Sequence, residues 1–235
     1  MKNMQIPLND HSNGKEQSFI DTQTEEIGNE HIGTSFDTPL RPDAFLLDDD
    51  LKMELIAKHF EEIMQIMGLD LTDDSLKGTP KRVAKMYIKE IFSGLNPENK
   101  PKIALFENSY QYNQMLIEKD IILHSTCEHH FIPILGKAHV GYISNGKVIG
   151  LSKINRIVQY YAKRPQVQER MTMQIANDLK ETLQTEDVAV IIDAKHLCVS
   201  MRGVEDVGSQ TVTSAYHGKF KDNETKNEFL KHIYG

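Results

Sequence analysis

Two short runs constrain this chain more than any other feature. Cys127-Glu128-His129-His130 and His196-Leu197-Cys198 lie about seventy residues apart, yet they hold both cysteines and three of the ten histidines. A Cys-x-x-His spacing lets two side chains converge on one ion from a tight turn. The second run reads as a strand, which puts His196 and Cys198 on one face. Cys127, His130 and Cys198 then form a soft Cys2His set suited to zinc. Three protein ligands leave a fourth position for water, whose pKa at such a site falls towards about 7. A closed structural site completed by His129, His124 or His196 satisfies the same spacing. A Cys127–Cys198 redox pair fits a reducing compartment poorly. Beside the ligands, His129 and His196 are placed either to move protons near neutral pH or to support the ligands. Glu128 is expected in a structural hydrogen bond or salt bridge.

Composition narrows the remaining classes. No apolar run reaches the roughly 18 residues of a membrane helix, and Met1–Ile6 has no signal-peptide core. The expected location is cytoplasmic, with no membrane partner. The net charge is −7, and residues 1–50 alone carry eleven acids against three bases. The rest is near neutral and has no basic stripe for nucleic acid. Residues 1–47 are polar, acidic and without hydrophobic period, and read as a disordered tail. The folded domain is expected over 48–235, with a helical part over 48–100 and a sheet-bearing core over 101–235.

Within that domain, Asp48-Asp49-Asp50 opens a helix whose apolar stripe runs Leu51, Leu55, Ile56, Phe60, Ile63, Met64, Met67, with Gly68 as its stop. Thr79-Pro80 reads as a cap and first turn of a second helix, ended by Gly94. Strands are expected at Ile121–Leu123, along Phe131–Ser144 with a bend at Gly136, at Lys147–Leu151, Val188–Asp193, His196–Met201 and Gln210–Tyr216. Asn145-Gly146 carries a hairpin signal. Two helices, one capped by Ser152 and one over Val167–Leu183, stand between the strands, and a short amphipathic helix with Phe229, Leu230 and Ile233 closes the chain. The pattern is α+β, an antiparallel sheet with helices expected on one face.

Ser152-Lys153-x-x-Arg156 opens a helix just after a strand, where N–H groups and basic side chains attract anions. Arg202 follows Cys198 by four residues, within reach of an anionic substrate group. Gln168-Glu169 starts the next helix, where a carboxylate can accept two N–H donors from a guanine-like edge. Each has a plainer reading, as helix-start chemistry or solvated surface, and the same holds for Arg82 and Lys85 on one helix face.

Ser125–Phe131, Gly150–Arg156, Arg164–Arg170, His196-x-Cys198 and Arg202-Gly203, taken together, resemble GTP cyclohydrolase I. The resemblance runs from about Asp50 to the C-terminus and leaves the acidic tail uncovered. It implies a tunnelling fold (T-fold), in which subunits join antiparallel sheets into a barrel with helices outside, and a toroidal homodecamer with active sites at subunit interfaces. It implies conversion of GTP and water to formate and 7,8-dihydroneopterin triphosphate, at the entry to folate and other pterins. By position, Cys127, His130 and Cys198 match the ligands of one zinc per subunit, and His129 and His196 the proton-transfer histidines. Glu169 with Gln168 matches the guanine reader. Ser152, Lys153, Arg156, Arg202 and, from another subunit, Arg82 match the triphosphate contacts. Tyr216-His217 departs from the resemblance, outside these motifs. Alternatives are a catalytically silent purine- or pterin-binding relative and a structural zinc protein.

Overall fold

A computed structural model describes residues 35–235; the expectation for residues 1–34 lies outside the described residues. The first helix, α1 (Asp49–Ile66), begins where Asp48 accepts a hydrogen bond from Leu51 N at 2.8 Å. It ends at Gly68, whose φ of +79° suits glycine. Of its apolar stripe only Met64 is buried, and Ile63 and Met67 stand exposed. α2 (Thr79–Lys85) has Gly78 at the cap position with no side-chain cap bond, so Thr79 lies inside the helix. It continues as a π-helical turn over Met86–Ile91.

A five-stranded sheet follows, in the order β5-β2-β3-β6-β7: β2 is Met115–Cys127, β3 Pro133–Ile143, β5 Pro165–Gln166, β6 Val188–His196 and β7 Thr211–Tyr216. All pairings are antiparallel except the two-residue β2–β5 contact. β1 (Leu105–Glu107) pairs with β4 (Lys147–Ile149) in a separate ribbon. The Asn145-Gly146 turn therefore joins β3 to β4 without making them a hairpin, because β4 finds its ladder on β1.

Helices α3 (Leu151–Ala162) and α4 (Gln168–Leu183) cover one face of the sheet. Ile154, Ile157, Val158, Met171, Ile175, Leu179 and Leu183 pack there with Leu123, Ile134, Val140, Val190 and Ile192. The opposite face buries Ala189, Ile191 and Ile143 under Phe220 and Phe229, the latter from α6 (Asn223–Tyr234). The expectation of helices on one face is therefore corrected: α3 and α4 cover one face, and α6 with Phe220 covers the other. This also explains why β6 is apolar without alternation: both of its faces are buried. Gly136 lies opposite Ala194 in β3–β6, where a Cβ would meet Asp193 O at 2.3 Å.

The register sets the site. β2 ends at Cys127, β3 begins near it with Thr126 opposite Pro133, and β6 ends at His196 opposite Ile134. The two sequence runs therefore meet at one end of the sheet. Asp37, placed in the tail by composition, accepts from Gln174 Nε2 at 2.6 Å and pairs with Arg164 at 3.4 Å. Among the described residues no helix is long and apolar enough to cross a membrane.

Candidate metal centre and active site

The turn after β2 presents two of the three ligands. Cys127 N donates to Ile132 O and Phe131 N to Cys127 O, both at 2.9 Å, closing a tight loop. Phe131 turns the chain with a φ of +51°. The third ligand comes from α5 (Leu197–Ser200), a single helical turn directly after β6. The expected strand over His196–Met201 ends at His196, so Cys198 reaches the centre from a helical turn and not by strand alternation.

Cys127, His130 and Cys198 offer ligand atoms that all lie within 4.8 Å of one another. Cys127 Sγ is 4.0 Å from His130 Nδ1. Metal–ligand bonds of about 2.0–2.3 Å place such atoms about 3.5–3.8 Å apart, so a modest closing of side chains fits one tetrahedral ion. Both cysteines are thiols. Burial first, then the neighbouring Cys127 sulfur, pushes the Cys198 thiol up to about 11. Burial, then the charges of Arg202 and His129, hold His130 below the ordinary histidine value. A neutral imidazole is the form that ligates a metal.

The surroundings fix the loop. Arg170, in the first turn of α4, grips Glu128 at two points, 2.6 and 3.2 Å. Glu128 N donates to Gln166 O at 3.1 Å, tying the loop to β5. His129 lies beside the centre, with Nδ1 3.7 Å from Cys127 Sγ. His196 Nε2 lies 2.8 Å from Gln168 Oε1. Burial lowers the His196 pKa and the nearby Glu169 carboxylate opposes the shift. Arg202 Nη1 donates to His130 Nε2 at 2.9 Å.

The remaining expected residues are distributed unevenly. Glu169 is exposed at the start of α4, near His196. Gln168 is 1% exposed, with its side chain turned behind His196. Ser152, Lys153 and Arg156 belong to the first half of α3, whose C-terminal end feeds β5 beside Cys127. From Ser152 to Ala162 the helix rises about 15 Å, so Ser152 sits at the end of α3 away from the one that feeds β5. Lys153 Nζ bonds Lys102 O at 3.2 Å, and Arg156 lines a cleft of about 270 Å³ with Lys163 and Gln159. Arg82 bonds locally, to Ser75 O at 3.0 Å and Thr79 Oγ1 at 3.1 Å. Sequence reasoning gave no role to Arg170, Thr172 or Thr213; only the expected partner for Glu128 pointed towards the first.

An α+β domain that brings two thiols and an imidazole together around one point, at the ends of its strands, has the donor set of a protein that could hold a metal ion. The profile of GTP cyclohydrolase I matches residues 56–234. A GTP cyclohydrolase 1 of Flavobacterium johnsoniae is 61% identical over 217 residues, covering 92% of this chain and 96% of that protein. Those of an Enterobacter species and of Escherichia coli are 53% identical over 203 residues, covering 86% of this chain and 91% of theirs. The chain belongs to the GTP cyclohydrolase I family, and is an enzyme of the hydrolase class.

Proposed function

We propose that this chain converts GTP and water to 7,8-dihydroneopterin triphosphate and formate, with one zinc ion per subunit held by Cys127, His130 and Cys198. The observation that carries the reading is the convergence of two thiols and three histidines at one end of the sheet, in a chain of this family. When bound, zinc supplies Lewis acidity and activates water near neutral pH. His129 and His196 move protons at the five-membered ring of the purine as it opens and C8 leaves as formate. Glu169 accepts from the guanine edge; its exposed place beside His196 suits that role.

Ser152, Lys153, Arg156 and Arg202 bind the triphosphate, with Arg82 from a neighbouring subunit. The distance along α3 supports a shared site, since one subunit's helix start is remote from its own cluster. The assembly is a homodecamer of tunnelling-fold subunits in the cytoplasm, joined edge to edge through their sheets. β7, with one neighbour in the sheet, offers an edge for that joining. The catalytic domain spans residues 48–235, and the acidic stretch 1–47 precedes it in the sequence.

Incubation with GTP, following formate and the oxidised, fluorescent neopterin product with and without a chelator, tests the reading. Turnover is expected only with the metal, and Cys198→Ser is expected to abolish metal content and activity together. Absence of turnover by the zinc-loaded protein refutes the proposal.

A further inference from the structure

We propose that Gln168 is a positioning residue that locks His196 as its Nε2–H tautomer, leaving Nδ1 as the nitrogen that exchanges protons with substrate. The inference deepens the reading above and rests on it for the substrate, but not for the tautomer.

Gln168 Nε2 lies 3.1 Å from Ile192 O, 2.8 Å from Thr211 O and 3.1 Å from Thr213 Oγ1. Two of these partners are carbonyl oxygens and have no proton to give. The amide nitrogen must face them, because the flipped amide would set oxygen against oxygen. Oε1 therefore faces His196 Nε2 at 2.8 Å. An amide oxygen only accepts, so His196 Nε2 carries the ring proton.

Two hydroxyls close the circuit. Thr172 Oγ1 donates to the Gln168 backbone carbonyl at 2.8 Å, which commits its proton. Thr213 Oγ1, 2.6 Å from Thr172 Oγ1, must then be the donor of that pair. Its lone pairs are left for Gln168 Nε2. Each proton in the ring of Gln168, Thr213 and Thr172 thus has one consistent place, and the ring pins the amide across the β6–β7 pair just where β6 delivers His196. A neutral imidazole has a single N–H. With it committed, Nδ1 keeps the lone pair, and no side chain or backbone group among the described residues bonds it. Gln168 has both amide protons engaged and is buried, so it acts through His196 and does not read a purine edge.

Two measurements on the zinc-loaded enzyme test this. Gln168→Met keeps the side-chain length and removes every hydrogen bond of the amide. It is expected to lower kcat for GTP about 10–100-fold, with KM within about threefold and zinc content unchanged. A raised KM at unchanged kcat would make Gln168 a substrate reader and overturn the proposal, as would wild-type values of both. If Gln168→Met fails to fold, Thr213→Val serves, with a smaller loss of kcat expected and an unaltered kcat counting against the circuit. Independently, nitrogen-15 NMR of histidine-labelled enzyme, with His196 assigned by its loss in His196→Asn, is expected to show the Nε2–H tautomer. An Nδ1–H signature there overturns the lock. That measurement needs no turnover, so it separates failure of the lock from failure of the GTP reading.

Discussion

Arg202 Nη1 donates to His130 Nε2 across 2.9 Å, from the loop after the third ligand to the second ligand itself. Guanidinium has no acceptor, so a ring in this contact uses its Nε2 lone pair on Arg202 and carries its proton on Nδ1. A neutral ring that ligates a metal binds through one nitrogen and is protonated on the other, and has no lone pair left for an arginine. Metal binding and this contact therefore exclude each other, and loading the site is expected to release Arg202 from His130. Arg202→Ala is expected to raise zinc affinity by up to about tenfold, since one charge-assisted hydrogen bond no longer competes. The same variant is expected to weaken GTP binding. Zinc titration against a chelator and KM for GTP check the opposite signs.

The Arg170–Glu128 pair holds the loop from the other side. Both side chains are largely buried, at 8% and 21% exposure. Glu128→Ala removes the two-point anchor between Cys127 and His130 and is expected to weaken zinc binding by roughly tenfold, as loss of such supporting contacts does. Competition with a colorimetric chelator measures it.

Acid is expected to destabilise the fold through His139. This ring is buried in β3, and Nδ1 accepts from Asp120 N at 3.2 Å. Burial lowers its pKa below 6.5; Lys137 and Lys119 act in the same direction, while Asp120 and Asp193 oppose. The Tyr234 ring lies 6.2 Å away. With the folded pKa depressed, the unfolded chain takes up the proton first. The stabilisation is complete above the unfolded value and is lost as pH falls through the folded one. His217 is lowered by burial as well and adds to the same slope. Thermal midpoints are expected to fall from about pH 7 to about pH 5, and His139→Asn, whose Oδ1 can take the place of Nδ1, is expected to flatten the fall.

Gly136 controls the strand pairing on which the centre depends. A methyl group there meets Asp193 O at 2.3 Å and Ala194 at 2.5 Å, both in the partner strand. Gly136→Ala is expected to destabilise the fold by about 1–3 kcal/mol, through forced separation of β3 and β6. Denaturant unfolding of the metal-free protein measures it.

The ligand cluster was legible in the sequence because its two halves are short, and each carries its own spacing. What was not legible is non-local. A strand pattern over His196–Met201 put Cys198 on one face with His196, but the chain turns into a helix after His196, and the ligand arrives by that turn. The Asn145-Gly146 signal identifies a turn but cannot say which strand the next one pairs with, and β4 pairs with β1. The helical spacing of the α1 stripe identifies a helix but not what packs on it, and here only Met64 is buried while Ile56 and Phe60 are half-buried. Gln168 stands beside Glu169 in sequence, but the helix start sends one side chain into the β6–β7 pair and leaves the other in solvent.

The length of α3 has a genetic consequence. It sets Ser152 and Lys153 at the far end of a helix that rises about 15 Å from Ser152 before it feeds β5 beside Cys127. In the proposed assembly each subunit therefore lends its helix start to one neighbour and its ligand cluster to another site. A chain broken only at Cys198 still carries a sound helix start, and a chain broken only at Lys153 still carries a sound cluster. Co-expressed or reassembled together, Cys198→Ser and Lys153→Ala chains should complement each other and recover activity at mixed interfaces, whereas either chain alone, at any concentration, should not.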